Sequence, residues 1–377
     1  MNFMKNILNF MKQEIVFSIA VILAIISMFI VPPSADYIGY IDFRTLALLL
    51  ALMIVVLGFR NCGLFAELIM LLINKVKTKR QLVFTLVMMC FFSSMFITND
   101  VALITFVPFT ILILETLENK RRNIYIIVLE TIAANLGSML TPIGNPQNLY
   151  LYTISKMSVG EFLKTTFPYT VVVFFGLCIS ILFIEKEPLN ASTPQIVDDG
   201  KASLNKRDLI IYSILFLVCI STVFKILDYR IMIVLVLITV GIINYKLIFK
   251  ADYILLLTFI AFFIFIGNIR SIDTISLFLN KIVRGNELFI SIASSQVISN
   301  VPAAMLLSGF SNNYKTLIVG LDFGGLGTLI ASMASLISFK FYTKMKRNNT
   351  KKYIISFTLI CLLFLAIELI AYYFIGV

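Results

Sequence analysis

Long apolar runs at residues 15–31, 45–59, 167–184, 231–243, 253–267 and 353–375 leave this chain one kind of surroundings, a lipid bilayer. Several approach or exceed the ~18–20 residues that carry a helix across a hydrocarbon core ~30 Å thick. The composition agrees: 14% of residues are charged, against about 25% in soluble domains. Inside that core only helices or a closed barrel satisfy their own backbone groups, and runs of this length are helical. The expected fold class is therefore all-α, a polytopic membrane protein. The first run follows Lys5 and Lys12 and ends in Pro32-Pro33-Ser34, with no small-x-small cleavage pattern. We read it as a retained first span.

The same composition excludes several functions. The five cysteines have no CxxC spacing and sit in apolar runs, where cysteine is an ordinary small hydrophobe. Histidine is absent. The commonest metal ligand and near-neutral proton carrier are thus missing, any proton coupling must use a carboxylate, and the usual forms of enzyme chemistry are lost. No phosphate-binding P-loop is present, so a self-contained ATP-driven pump is not expected. The net charge of +11 lies in short loops, which points to topology and not to nucleic acid.

Lys and Arg gather on the cytoplasmic side of membrane proteins. One threading sorts them, with the N-terminus inside. It puts Lys75, Lys77, Lys79 and Arg80, then Lys120, Arg121 and Arg122, and the cluster from Lys340 to Lys352 inside. Arg44, Lys156, Lys164, Lys225, Arg230, Arg270, Lys281, Arg284 and Lys315 fall outside. The threading requires segments 81–118 and 286–312 to leave and re-enter on one side. For the second, arms at 287–298 and 302–310 rise only ~18 Å and ~14 Å, too short to cross.

The halves also repeat each other. Phe96-Ile97-Thr98-Asn99-Asp100-Val101-Ala102 matches Val297-Ile298-Ser299-Asn300-Val301-Pro302-Ala303 without a gap. Asn135-Leu136-Gly137-Ser138-Met139-Leu140-Thr141 matches Asp322-Phe323-Gly324-Gly325-Leu326-Gly327-Thr328, which aligns Asn145 and Asn148 with Ser332 and Ser335. The threading enters the halves from opposite sides, so the repeats are inverted. The expected organisation is a first span at 1–41, repeat 1 at 42–184 and a cytoplasmic linker at 185–207. Linking spans follow at 208–250, repeat 2 at 251–340 and a C-terminal span at 341–377. Repeat 1 holds the hairpin 81–118 and a broken helix at 123–154; repeat 2 holds the hairpin 286–312 and a broken helix at 314–340.

Inverted repeats with interrupted helices place a solute site near the midplane. At each hairpin tip, backbone N–H groups at one helix start favour an anionic or polar solute, and C=O groups at another helix end can take a cation. A capping pair without a ligand would explain either tip alone; its recurrence in both halves favours function. In 123–154, Pro142 and Pro146 each remove a ladder hydrogen bond, and Gly137 and Gly144 relax the backbone. Tips and breaks together nominate Asn99, Asp100, Thr141, Pro142, Asn145, Asn300, Pro302 and Thr328 for the solute. A carboxylate at mid-membrane is costly and usually functional, which singles out Asp100. Asp322 and Glu130 are read equally as structural, and Arg60 as a side chain reaching the interface.

At these motifs the sequence resembles the ion transporter superfamily. That group contains arsenite efflux permeases, divalent anion:sodium symporters, citrate permeases and some sodium/proton antiporters. The likeness is closest to its small anion permease branch, and it covers nearly the whole chain. It implies a scaffold domain, a transport domain that moves elevator-fashion, and frequent homodimers. It also implies tips that hold solute and coupling ion. Na⁺ would fall at Ser94, Thr98, Asn99, Gly137 and Asn145 in one half and at Ser295, Ser299, Asn300, Gly324 and Ser332 in the other. Dicarboxylate symporters carry Ser-Asn-Thr at both tips; here Asp100 and Val301 replace the threonines. Asp100, if ionised, repels a carboxylate, so the tip resembles more the arsenite permeases, whose solute is a neutral oxyacid.

The expected function is secondary active transport of a small anion or oxyacid across the cytoplasmic membrane, coupled to Na⁺ or H⁺, with no further cofactor. A sodium/proton antiporter and an arsenite-type efflux permease are the alternatives within transport. A channel is the reading from another class, and it would need a continuous pore.

Overall fold

The computed structural model describes residues 14–73, 76–116, 123–188, 204–345 and 348–376. Within them α1 (Ile15–Ile30) and α2 (Asp36–Tyr40) lead to α3 (Phe43–Asn61) and α4 (Leu64–Ile73). The pair α5 (Lys79–Ile97) and α6 (Asn99–Thr116) meets at Thr98, and α7 (Asn123–Gly137) and α8 (Pro146–Ile154) are the two parts of one interrupted helix. Then come α9 (Val159–Leu182), α10 (Lys206–Val223), α11 (Tyr229–Asn244) and α12 (Tyr253–Arg270). Next are α13 (Asp273–Val283) and the short pair α14 (Glu287–Ile298) and α15 (Asn300–Ser308), which meets at Ser299. A second interrupted helix, α16 (Tyr314–Gly324) and α17 (Met333–Thr343), precedes α18 (Thr350–Ile375).

Among the described residues seven helices are long and apolar enough to cross a membrane. Their outward faces are apolar: Phe29 is 85% and Ile242 81% exposed. Water penalises such a belt and lipid accepts it. The chain is a multi-pass, all-α membrane protein.

Local chemistry sets the helix starts. Asp42 accepts from the Thr45 backbone N–H at the head of α3, and Asp252 does the same for Leu255 at the head of α12. Thr78 with Gln81, and Ser158 with Glu161, form reciprocal capping boxes at α5 and α9. Packing then divides the helices into two groups. α1 lies along α12, while α3 packs on α10 and α11. In the other group α5 packs on α7, α14 on α16, and α9 on α18. The second segments cross over: α17 packs against α6 and α7, and α8 against α15.

The helix bounds can be set beside the expected segments. The first hairpin begins at Lys79 and the second broken helix runs on to Thr343. Helix α13 forms where only loop charges were read. Residues 189–203 of the expected linker, residues 1–13 with Lys5 and Lys12, and the positions of Lys75, Lys120, Arg121, Arg122, Lys346 and Arg347 lie outside the described residues.

Candidate functional site

Both hairpins turn through a residue that ordinarily avoids such a backbone. Thr98 has φ 70° and ψ 148°, and Ser299 has φ 73° and ψ 154°. This region is nearly reserved for glycine and costs on the order of 1–3 kcal/mol per residue. The same unfavourable geometry occurs twice, at polar tips inside apolar surroundings. An asparagine follows each, Asn99 and Asn300, each only 3% exposed.

Each tip rests on its own interrupted helix. A Cβ on Gly137 would collide with the Phe91 carbonyl and Ser94 Oγ; one on Gly324 would collide with Ser295 Oγ and press on the Ser291 carbonyl. Only glycine lets helix and hairpin arm approach this closely. Ser94 and Ser295 spend their hydroxyl protons on the carbonyls of Phe91 and Ser291, which leaves their oxygens as acceptors. Thr141 Oγ1 donates to the Met95 carbonyl, and Thr328 Oγ1 donates to the Gln296 carbonyl at 3.4 Å. Asn99 N–H donates to the Gly144 carbonyl at 3.0 Å, tying the first tip to the first break.

The two halves meet through a polar network that crosses between them. Asn135 on α7 accepts from Asn99 Nδ2 and from Ser332 Oγ, both at 3.0 Å, and donates to Ser335 Oγ at 3.2 Å. Asp322, at the matching place on α16, accepts from Asn145 Nδ2 at 3.0 Å, Asn148 Nδ2 at 2.9 Å and Gln147 Nε2 at 3.4 Å. Each first segment is therefore bonded to the second segment of the other half's interrupted helix. Asn145 also caps α8 by accepting from the Asn148 N–H, ahead of Pro146 at the first helical position, and reaches Ser138 Oγ. A chain of contacts joins the tips: Asn99 to Asn135 to Ser332, with Ser299 Oγ 3.5 Å from the carbonyl of the adjacent Ala331.

The structure brings Thr98, Asn99, Gly137, Thr141 and Asn145 together in one half and Ser299, Asn300, Gly324 and Ser332 in the other. Asp100 lies at the first tip, half-buried, its N–H held by Asn99 Oδ1 and its own Oδ1 without a partner. Pro142 and Pro302 are buried at the first break and in the first turn of α15. Thr328 differs: it is exposed, with its N–H held by Gln296 Oε1 at 2.9 Å. Glu130 is buried away from the tips against Thr110, and Arg60 is exposed at the end of α3. Sequence reasoning placed Asn135 and Gln296 in no site. Gln296 holds the second break by donating to the carbonyls of Gly324 and Leu326 at 2.9 and 2.8 Å. Their signal was present in the sequence, as lone amides inside apolar helices. Among the described residues no three His, Cys, Asp or Glu side chains gather. A cation here would meet hydroxyl, amide and backbone oxygens and the free Asp100 Oδ1, the donor set of a hard ion and not of a transition metal.

Interrupted helices inside a multi-pass bundle, with buried amides at two strained tips, agree with the family and relatives, which point to a membrane transporter and not an enzyme. The chain belongs to the citrate transporter family, whose model matches residues 7–313. It is 34% identical over 306 residues to an uncharacterized transporter of Methanocaldococcus jannaschii, covering 80% of this chain and 81% of that protein. An inner membrane protein of Escherichia coli is 29% identical over 306 residues, 80% of each chain. A silicon efflux transporter of Oryza sativa subsp. japonica is 33% identical over 149 residues, 40% of this chain and 30% of that one.

Proposed function

We propose that this protein is a secondary active transporter for a small anion or oxyacid, coupled to Na⁺ or H⁺ and working by an elevator-type alternating-access cycle. The observation that carries the reading is the pair of strained tips, Thr98-Asn99 and Ser299-Asn300, each lodged against an interrupted helix. Helix ends at such tips present N–H groups to an anionic or polar solute and carbonyls to a cation. In this reading Asn99, Asn145 and Asn300 contact the solute, with Asp100, Thr141, Pro142, Pro302 and Thr328 around them. Ser94, Thr98 and Gly137, and Ser295, Ser299, Gly324 and Ser332, supply oxygens for the ion. The tips lie in two inverted repeats, the N-terminus is cytoplasmic, and the working unit is a homodimer in the bilayer.

A neutral oxyacid gains support from the partial match to a silicon efflux transporter. Sodium/proton antiport is favoured by one observation, the unpartnered oxygen of Asp100 at the first tip. Reconstituted vesicles loaded with Na⁺ or buffered to a pH step, and offered silicic acid, arsenite or citrate, separate these readings. The proposal expects saturable, gradient-driven accumulation of at least one solute. Flux that stays linear in solute and ignores both gradients would make the protein a channel.

A further inference from the structure

A cavity of ≈ 570 Å³ opens between the two packed groups of helices. Its walls come from both: Asp42, Phe263 and Arg270 on one side, Tyr150 and Ser308 on the other, with Arg284 just beyond α13. Three of its lining side chains carry charge, and they are not equivalent. Asp42 is already occupied, its carboxylate accepting from the Thr45 N–H at 3.1 Å and from Thr45 Oγ1 at 2.7 Å. The nearby Glu287 is buried and takes the Ser311 hydroxyl at 2.8 Å. Arg270 and Arg284 are exposed and line the cavity, and their guanidinium groups have neither a hydrogen bond nor an ion pair among the described residues. By contrast the guanidinium of Arg44 donates to the Thr222 carbonyl and that of Arg80 to the Ile184 carbonyl. Two free guanidinium forks at a concave surface match the paired oxygens of a carboxylate or oxyanion.

The cavity shares a helix with the second tip. Met305 and Ser308 line it, and both stand on α15, which starts at Asn300. Met305 is five residues from that tip, a rise of ~7.5 Å. Beside them Tyr150 lines the cavity two residues from Asn148 of the crossed network. Tyr150 Oη and Ser308 Oγ are 3.0 Å apart, within hydrogen-bond distance, and the Tyr150 ring packs on Phe259 and Phe263. The tyrosine therefore ties α8 to α15 at the cavity wall.

We infer that this cavity is an anteroom in which Arg270 and Arg284 hold a small multi-oxygen anion, a carboxylate or an inorganic oxyanion, before it reaches Asn99 and Asn300. The inference rests on the transporter reading and narrows its solute from anion or neutral oxyacid to anion.

Thermal unfolding of the purified full-length protein, titrated at constant ionic strength with citrate, succinate, phosphate and sulfate and with neutral silicic acid, tests it. At least one anion should raise the Tm saturably, and the effect should weaken as ionic strength rises. R270Q and R284Q should each weaken apparent affinity about tenfold, and the double variant should abolish it. Arg270→Lys with Arg284→Lys keeps the charge and should retain measurable binding, which also covers the case of a double glutamine variant that does not fold. The arginine-dependent shift should persist in the Asn99→Ala, Asn300→Ala protein, because the anteroom does not need the tips. Stabilisation by silicic acid alone, by no solute at all, or equally in the arginine variants would overturn the inference and leave the transporter reading intact. Wild-type uptake by Asn99→Ala would instead sink the transporter reading while anteroom binding stayed measurable.

Discussion

The two interrupted helices hold the same position in their halves with different chemistry. Asn135 ends α7 among hydroxyl partners, Ser332 and Ser335, and the amide of Asn99. Asp322 ends α16 among amides that all donate to it, those of Asn145, Gln147 and Asn148. Serine donates or accepts, so a neutral amide suits the first setting; an acceptor-only carboxylate suits the second. The geometry of the crossing thus tolerates a neutral residue, and the carboxylate in the second half is not required by backbone shape. Among the described residues no cation pairs with it, although it is only 2% exposed. A buried carboxyl group held by amide dipoles alone therefore sits at the seam between halves.

That comparison can be broken in several ways. The largest effect belongs to the two close approaches: Gly137→Val and Gly324→Val should each cost ~3 kcal/mol or more, because the hairpin arm must move. Size-exclusion recovery and Tm read this, and tolerance of one alone would end the equivalence of the halves. Next, Asp322→Leu leaves the buried amides of Gln147 and Asn148 without an acceptor and Asn145 with Ser138 alone, and should cost at least ~2 kcal/mol, whereas Asp322→Asn should stay within ~1 kcal/mol of wild type and change transport instead. Equal losses of Tm for the two would show that the charge, not hydrogen bonding, holds the seam. Asn135→Asp removes the donor to Ser335 and buries a second carboxylate, with an expected loss of about 2 kcal/mol. Adding Asp322→Asn should recover part of it, and strict additivity would argue against coupling across the seam. The smallest effect is expected for Gln296→Ala, about 1 kcal/mol. Faster amide exchange around Gly327, which has φ 121°, should report it.

Much of this was legible because polar and helix-breaking residues stand out in apolar runs. Thr98-Asn99-Asp100, Ser299-Asn300 and the segment from Thr141 to Asn148 announced tips and a break by composition alone. The glycine-rich 324–328 announced the second break without proline. What could not be read was the partner of each polar group. The bonds from Asn135 to Ser332 and Ser335, and from Asp322 to Asn145, Gln147 and Asn148, span sequence separations of 174 to 200 residues. Periodicity carries no information over that range. Thr328 was grouped with Thr141 by alignment, yet Gln296, where the first half has Met95, holds it at the surface. The anteroom was hidden for a related reason. Arg270 and Arg284 were read as loop charges that fix topology, and only the helix α13 between them shows that both line one cavity.

The account depends on both asparagine tips acting on one solute. Gradient-driven uptake into vesicles by Asn99→Ala and by Asn300→Ala, each compared with wild type at equal protein and matched Tm, measures this directly. The account predicts that each substitution alone lowers uptake at least a hundredfold while the folded protein persists. Full uptake after either substitution would contradict it.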